Sequence, residues 1–141
     1  MYDARSRYVA AAVQTASPAR LLTMLADRLL LDVERGAQAL ADGRRGEATQ
    51  HLAHAHDIVS ELVASLDVEE WDGGPQLLAI YTWLLTELLS ASASGDAARV
   101  EGCRGIVAEL ARTWHDAAEA LTTPAAATPA PGAAGGLLGV G

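Results

Sequence analysis

Residues 8–27 read Tyr8-Val-Ala-Ala-Ala-Val-Gln-Thr-Ala-Ser-Pro-Ala-Arg-Leu-Leu-Thr-Met-Leu-Ala-Asp27, a short, partly apolar leader that runs directly into a helix start. Ser17 is suited to accept hydrogen bonds from the free N–H groups of the first helical turn, and Pro18 suits the first helical position. Apolar residues then follow at helical spacing, namely Leu21, Leu25, Leu29 and Val33. We therefore predict a first helix from about Pro18 to Ala41, ended by the turn signal Asp42-Gly43.

Three further helices are predicted downstream. The second, roughly Gly46 to Leu66, carries apolar residues at alternating steps of four and three, a spacing typical of antiparallel bundle packing. The third begins near Pro75, after a glycine-rich turn, and runs to about Ser92. The fourth starts after Asp96, a favourable helix cap, and runs to about Leu121. Since Ala and Leu dominate and β-branched residues are scarce, we predict an all-α, antiparallel up-down four-helix bundle.

The length of 141 residues is that of one domain. We assign residues 1–121 to the helical bundle, with residues 1–16 as its leader. Residues 122–141 contain mainly Ala, Pro, Gly and Thr and carry no charge. Such a segment has little apolar surface to bury, so we expect a disordered C-terminal tail.

The composition excludes several classes of protein. The formal net charge is −8 and no block of Lys or Arg occurs, which argues against nucleic acid and anionic membranes as partners. The longest apolar segment, Leu77 to Leu89, is interrupted by polar residues and is shorter than the roughly 20 residues that span a bilayer. Cys103 is the single cysteine, which excludes an intrachain disulfide and fits a reducing compartment. We expect a cytoplasmic protein without a targeting segment or membrane insertion.

No catalytic or metal-binding pattern is present. His51 and His54 lie three residues apart and could share a metal, but no Glu-x-x-His pair of the di-iron bundles occurs on any helix, so a solvated polar face is the favoured interpretation. Cys103 and His115 are too far apart along one helix to act together. We predict no catalytic residues, no metal and no cofactor, and therefore not an enzyme.

The third predicted helix is unusually apolar. Its apolar residues cover an arc of roughly 180°, whereas a core-facing stripe needs little more than 100°. One interpretation is a central helix packed on two sides within its own bundle. The other is an apolar groove that accepts a helix from a partner. Both can hold together.

Several motifs in a fixed order carry a resemblance to a known family. The leader Tyr8…Val13-x-Thr15-Ala16-Ser17-Pro18 is followed by Leu21-Leu22-x-Met24-Leu25-x-Asp27. Further along come Ser65-Leu66-Asp67, Gly73-Gly74, Ile80-Tyr81-x-Trp83-Leu84, Gly95-Asp96 and Ala111-x-x-Trp114. Over residues 2–120 the chain resembles the flagellar secretion chaperones of the FliS family. It departs from the family pattern at Ala26 and Arg28, at Trp83-Leu84 and at Ala91-Ser92, which bears on partner specificity more than on fold.

The resemblance implies a function. Apolar grooves of such a bundle hold the C-terminal segment of flagellin in the cytoplasm, prevent its premature polymerisation, and assist its delivery to the flagellar secretion apparatus. The leader is expected to lie over an apolar groove until the client displaces it. The expected client-binding residues are Leu77, Ile80, Tyr81, Leu84 and Leu88 on the third helix, with Tyr8, Val13, Leu21 and Leu25 from the leader and first helix. The alternative is a self-associating structural bundle, a homodimer, with no flagellin client.

Overall fold

A computed structural model describes residues 17–70 and 72–122 of the chain. These residues form four helices, α1 (Pro18–Ala41), α2 (Arg45–Ser65), α3 (Gly74–Ser94) and α4 (Ala97–Thr122), and the described ranges contain no strand. The all-α prediction is confirmed, and each helix begins and ends close to where the sequence placed it. The predicted leader, residues 1–16, lies outside the described residues, as does the predicted tail beyond Thr122.

The described residues belong to two compact units. The larger is Leu22–Ala111, and the described part of the smaller consists of residues 17–21 and 112–122. In the smaller unit Ser17 starts α1, since its hydroxyl oxygen accepts a hydrogen bond from the N–H of Arg20 at 3.2 Å. The predicted cap at Ser17 is thereby confirmed. The assignment of residues 1–121 to one bundle domain stays a prediction.

Helices α1 and α2 of the larger unit are joined by a buried carboxylate. Asp32 on α1 is fully buried, and one of its oxygens accepts a hydrogen bond from Nε of Arg28 at 3.0 Å. The other oxygen accepts a hydrogen bond from Nδ1 of His54 on α2. One turn further along α1, a Cβ at Gly36 would lie 2.8 Å from Cδ2 of Leu52, so the absence of a side chain there allows the close approach. Asp32 contacts His54 and Gly36 lies against Leu52. Residue numbers therefore rise along α1 as they fall along α2, so the two helices are antiparallel.

Helices α2 and α3 pack against each other along their lengths. The guanidinium group of Arg45, at the start of α2, donates a hydrogen bond to the backbone carbonyl of Ala93, in the last turn of α3, at 2.8 Å. Gly95 ends α3 at φ 71°, and a Cβ there would lie 2.7 Å from Cζ of Arg45. A cation at the carboxyl end of a helix is electrostatically favourable. Arg45 therefore fixes the start of α2 beside the end of α3.

Helix α4 lies beside α3. Arg99 Nη1 donates to both carboxylate oxygens of Glu87 on α3 at 3.0 Å. The predicted cap of α4 is confirmed, because Asp96 Oδ1 accepts a hydrogen bond from the N–H of Ala98 at 2.9 Å. Arg104 donates hydrogen bonds to the carboxylate of Glu101, and these bonds raise the pKa of Arg104, with a smaller contribution from the charge of Glu34 on α1. Within the larger unit the helices thus follow one another as an antiparallel bundle.

The core of this bundle is built from one row of each helix. The fully or nearly fully buried apolar residues are Ala26, Leu29, Val33 and Ala39 on α1; Ala48, Leu52, Ala55, Ile58, Val59 and Leu62 on α2; Leu77, Tyr81, Leu84, Leu88 and Ala91 on α3; and Val100, Cys103, Val107 and Ala111 on α4. The row on α2 contains the predicted alternating seam from Ala48 to Leu62, whereas Leu66, the last predicted member of the seam, is half-buried and lies after the end of α2. Burial of these rows supplies the main favourable free energy of folding.

Substitution of Gly74 tests the packing at the start of α3. A Cβ at Gly74 would lie 2.8 Å from the carbonyl carbon of Val68 and 2.9 Å from its Cα, and backbone atoms cannot move aside cheaply. Gly74→Ala should therefore lower the free energy of unfolding by about 1–3 kcal/mol in urea titrations. Gly105→Ala is the matched control, since a Cβ there meets no atom within 4 Å and alanine favours helix. Equal stability of the two variants would contradict this account of the turn.

Candidate client-binding surface

Four of the five residues expected to bind a client on α3 lie in the core. Leu77 is 7% exposed, Tyr81 is 2% exposed, and Leu84 and Leu88 are completely buried. Their spacing of four, three and four residues forms one stripe along the helix. These side chains hold α3 in the bundle. Their role in client binding stays a prediction.

The fifth residue, Ile80, lies at the edge of this stripe and is half-buried. Trp83 follows one turn later on the same flank and is 43% exposed. A Cβ at Gly102 on α4 would lie 3.9 Å from Cη2 of Trp83, so the indole ring extends to the neighbouring helix. One turn further along α4, Ile106 is 37% exposed. We call Ile80, Trp83, Gly102 and Ile106 the Trp83 surface.

The antiparallel pairing of α3 with α4 brings these residues together. Glu87 is bonded to Arg99, and Trp83 extends to Gly102. Continuing the same pairing by one helical turn brings Ile80 to the level of Ile106. The Trp83 surface is therefore contributed by two helices.

An ion pair borders this apolar surface. The side chain of Glu87 is mostly buried and that of Arg99 is half-exposed, and both Glu87 oxygens face Nη1 of Arg99. Because Arg99 is half-exposed, solvent screens the pair and limits its contribution to stability. The pair therefore acts mainly as a polar boundary at one end of the Trp83 surface.

The opposite flank of α3 is also apolar. Leu78 and Leu85 are half-buried there, and Leu89 is 64% exposed. The wide apolar arc of α3 thus consists of one buried stripe and two partly exposed flanks. The interpretation of α3 as a helix packed within its own bundle holds for the stripe, and the flanks supply the apolar surface that a partner helix would need.

The remaining expected client-binding residues are divided between the units and the undescribed leader. Leu21 in the smaller unit and Leu25 in the larger unit are both half-buried. Tyr8 and Val13 lie outside the described residues. The sequence interpretation omitted three residues of the Trp83 surface, namely Trp83 on α3 and Gly102 and Ile106 on α4. The position of Ile106 could have indicated its exposure, because this apolar residue lies directly before Val107 and outside the buried row of α4.

The titratable groups of the described residues offer no cluster for chemistry. Cys103 is fully buried, and burial together with the charge of Glu87 raises its pKa to about 11, so the thiol stays protonated near neutral pH. His54 is engaged with Asp32. Within residues 17–70 and 72–122, no group of three or more His, Cys, Asp or Glu side chains could hold a metal ion.

By length and composition alone, helix α3 is long and apolar enough to cross a membrane. The sequence judged the apolar run Leu77 to Leu89 too short, whereas the complete helix has 21 residues. Core helices have the same composition, and α3 packs against α2. Packing in the bundle accounts for the buried stripe of α3, and the partly exposed flanks carry the rest of its apolar residues.

Four helices, with partly exposed apolar flanks on α3, define a small all-α helical-bundle protein. The family described as flagellar protein FliS matches residues 1–121, and the chain belongs to that family. The flagellar secretion chaperone FliS of Escherichia coli is 31% identical over 118 residues, covering 82% of this chain and 85% of the relative. The protein of the same name from Salmonella typhimurium is 33% identical over 113 residues, covering 75% and 80%. The resemblance found in the sequence is confirmed.

A pair of leucine substitutions separates the core of α3 from its surface. Leu84→Ala removes a fully buried side chain and should lower the free energy of unfolding by about 2–5 kcal/mol. Leu89→Ala alters a side chain that is 64% exposed, and it should change the free energy of unfolding by no more than about 0.5 kcal/mol. Urea unfolding followed by circular dichroism measures both. A similar loss in the two variants would show that the described burial is incorrect.

Proposed function

We propose that this chain is a cytoplasmic flagellar export chaperone that binds the C-terminal segment of flagellin on the Trp83 surface. The observation that carries the proposal is the joint exposure of Trp83 on α3 and Ile106 on α4 in a chain of the FliS family. Export chaperoning requires contact with a client and no reaction. A binding surface suffices for it.

The chemistry of the surface suits an amphipathic helix. Apolar side chains at Ile80 and Ile106, one helical turn from the indole of Trp83, can receive residues spaced three or four apart on a client segment. Tryptophan is enriched among residues that dominate binding energy, because it buries a large rigid area. A disordered client segment loses conformational entropy when it binds. The Trp83 surface adds no further entropy loss, because two packed helices already hold it in place.

Capture of this segment would have two effects. Its apolar face would be covered, so that it could not pair with other flagellin molecules before export. The complex would then present the client to the flagellar secretion apparatus. In this scheme the buried stripe of α3 acts by holding Ile80 and Trp83 in position, while these two side chains contact the client directly.

Substitution of Ile80 tests the direct contact. Ile80→Asp places a charge in the proposed interface and should weaken binding of a flagellin C-terminal peptide by at least about 30-fold, equivalent to about 2 kcal/mol. Titration calorimetry with the purified peptide measures this. Thr82→Asp is the matched control, because Thr82 is exposed on the other side of the same helix. A folded Ile80→Asp variant that binds the peptide as tightly as the control would contradict the proposal that the client binds the Trp83 surface.

Tyr81→Asp is a poor test of the same surface. Tyr81 is 2% exposed, so a carboxylate there would be buried in the core and the bundle would lose stability. Loss of binding in that variant would follow from loss of the fold.

Self-association is the second candidate function, and it is favoured by one observation. Leu89 is 64% exposed on the flank of α3 away from the Trp83 surface, beside the half-buried Leu78 and Leu85. A second copy could cover that flank. In sedimentation experiments a tight dimer that ignores flagellin would favour this function over the chaperone proposal.

The proposed lid function of the leader has its own test. A leader that lies over an apolar groove reduces the fraction of binding-competent protein, so deletion of residues 1–14 should raise the apparent client affinity. The measurement is titration of the deletion variant and the full chain with the same flagellin peptide, together with urea unfolding of both. Unchanged affinity and unchanged stability would remove this role from the leader.

A further inference from the structure

We propose that Gly102 determines which side chain of a client the Trp83 surface accepts. The missing side chain at this position leaves a gap on α4 beside the indole of Trp83, which we call the Gly102 notch. The notch takes one aliphatic side chain of about leucine size from the client helix. This inference rests on the proposed function, because it names the client group that meets the surface. Its premise about the fold can be measured without any client.

A glycine at residue 102 lowers the stability of the helix that contains it. Gly102 lies in the interior of α4, which has 26 residues. In a helix interior, glycine is less favourable than alanine by a factor of about 4 to 5 in the folding equilibrium constant. A glycine at this position therefore has a physical reason only if its missing side chain serves the fold or a partner.

The described residues supply no such reason within the fold. Gly102 is helical and has no positive φ, so alanine can adopt its backbone conformation. A Cβ at residue 102 would meet one described atom within 4 Å, Cη2 of Trp83 at 3.9 Å, which is ordinary van der Waals contact. Gly36 differs in this respect, since a Cβ there would lie 2.8 Å from Cδ2 of Leu52. Packing thus accounts for Gly36 and leaves Gly102 to a partner.

Four residues surround the Gly102 notch. Ile80 and Trp83 are three residues apart on α3, which is about 4.5 Å along the helix axis. Gly102 and Ile106 are four residues apart on α4, about 6 Å. In packed helices, a side chain of one helix enters a hole formed by four residues of this kind. Three of the four carry large apolar side chains and the fourth carries none, so the hole is deepest over Gly102.

The chemistry and the depth of the notch select the client group. Its walls are the indole of Trp83 and the side chains of Ile80 and Ile106, so a polar client group would lose its hydration without gaining a hydrogen bond. An alanine methyl group would leave the space over Gly102 empty and lose the dispersion contacts with its lining. A leucine-sized side chain can fill that space. We therefore expect one aliphatic anchor in the client, with neighbours three or four residues away that contact the rim.

The first experiment tests the premise without client. Gly102→Ala should raise the folding equilibrium constant by about 4-fold to 5-fold in urea titrations, because it replaces a glycine in a helix interior and meets no close contact. Gly105→Ala is the matched control and should raise it by a similar factor, since a Cβ there meets no described atom within 4 Å. A Gly102→Ala variant that is less stable than the unsubstituted chain would show that the fold requires this glycine, and would overturn the proposal.

The second experiment measures binding of a flagellin C-terminal peptide by titration calorimetry. Gly102→Leu fills the notch with a side chain of the protein itself and should weaken binding at least about 10-fold. Gly105→Leu is the matched control, because a step of three residues turns it about 60° further from α3. This control should bind within about 2-fold of the unsubstituted chain. Equal affinities of Gly102→Leu and Gly105→Leu would overturn the proposal.

Substituted peptides distinguish a filled notch from a damaged surface. Each apolar residue of the peptide is replaced in turn by alanine. For the residue that enters the notch, alanine should weaken binding at least about 10-fold on the unsubstituted chain, and no more than about 2-fold on Gly102→Leu, where the space is already filled. If Gly102→Leu weakens every peptide by the same factor, the substitution has damaged the surface in general and the proposal is wrong.

The outcomes separate the role of Gly102 from the proposed function. If Ile80→Asp weakens binding while Gly102→Leu binds as tightly as Gly105→Leu, the client occupies the Trp83 surface and the role of the notch is wrong. If the peptide does not bind the unsubstituted chain, the proposed function fails, and selection of a client side chain by Gly102 fails with it.

Discussion

Burial of one stripe of α3 is the interaction on which the rest of the larger unit depends. Four large side chains, from Leu77 to Leu88, turn the most apolar helix towards the core and thereby decide which flanks stay at the surface. The ends of α3 are held by backbone contact at Gly74 and by the guanidinium group of Arg45. Because α3 is fixed along its length, the surface it shares with α4 is formed before any partner arrives, which lowers the entropic cost of binding.

The sequence predicted the four helices and two of their caps correctly because those signals are local. Ser17 and Asp96 accept hydrogen bonds from N–H groups two or three residues away, and no distant part of the chain is needed for them. The seam on α2 could also be predicted, since its apolar residues follow a repeat of four and three and therefore lie on one face of the helix. The resemblance to the FliS family followed from several motifs and their order along the chain rather than from packing.

The candidate surface was harder to predict because it depends on packing between distant segments. A helix with an apolar arc of roughly 180° can bury several different stripes, and only its neighbours select one. For this reason Tyr81 and Leu84 were grouped with Ile80, although the structure buries the first two. Asp32 was missed for a similar cause. Its sequence neighbours suggest nothing unusual, and its partner His54 lies 22 positions away on another helix.

The buried Asp32 also limits how α1 and α2 can slide past one another. Two helices joined only by alanine and leucine rows can shift by one turn, about 5.4 Å, and exchange one apolar contact for another. Such a shift would separate the Asp32 carboxylate from His54 and leave a buried acceptor without that donor, at a cost of about 1–3 kcal/mol. An apolar seam alone would leave several registers of the helix pair nearly equal in free energy. The buried carboxylate raises the free energy of the shifted registers. The Asp32–His54 contact consequently holds α1 and α2 in one register.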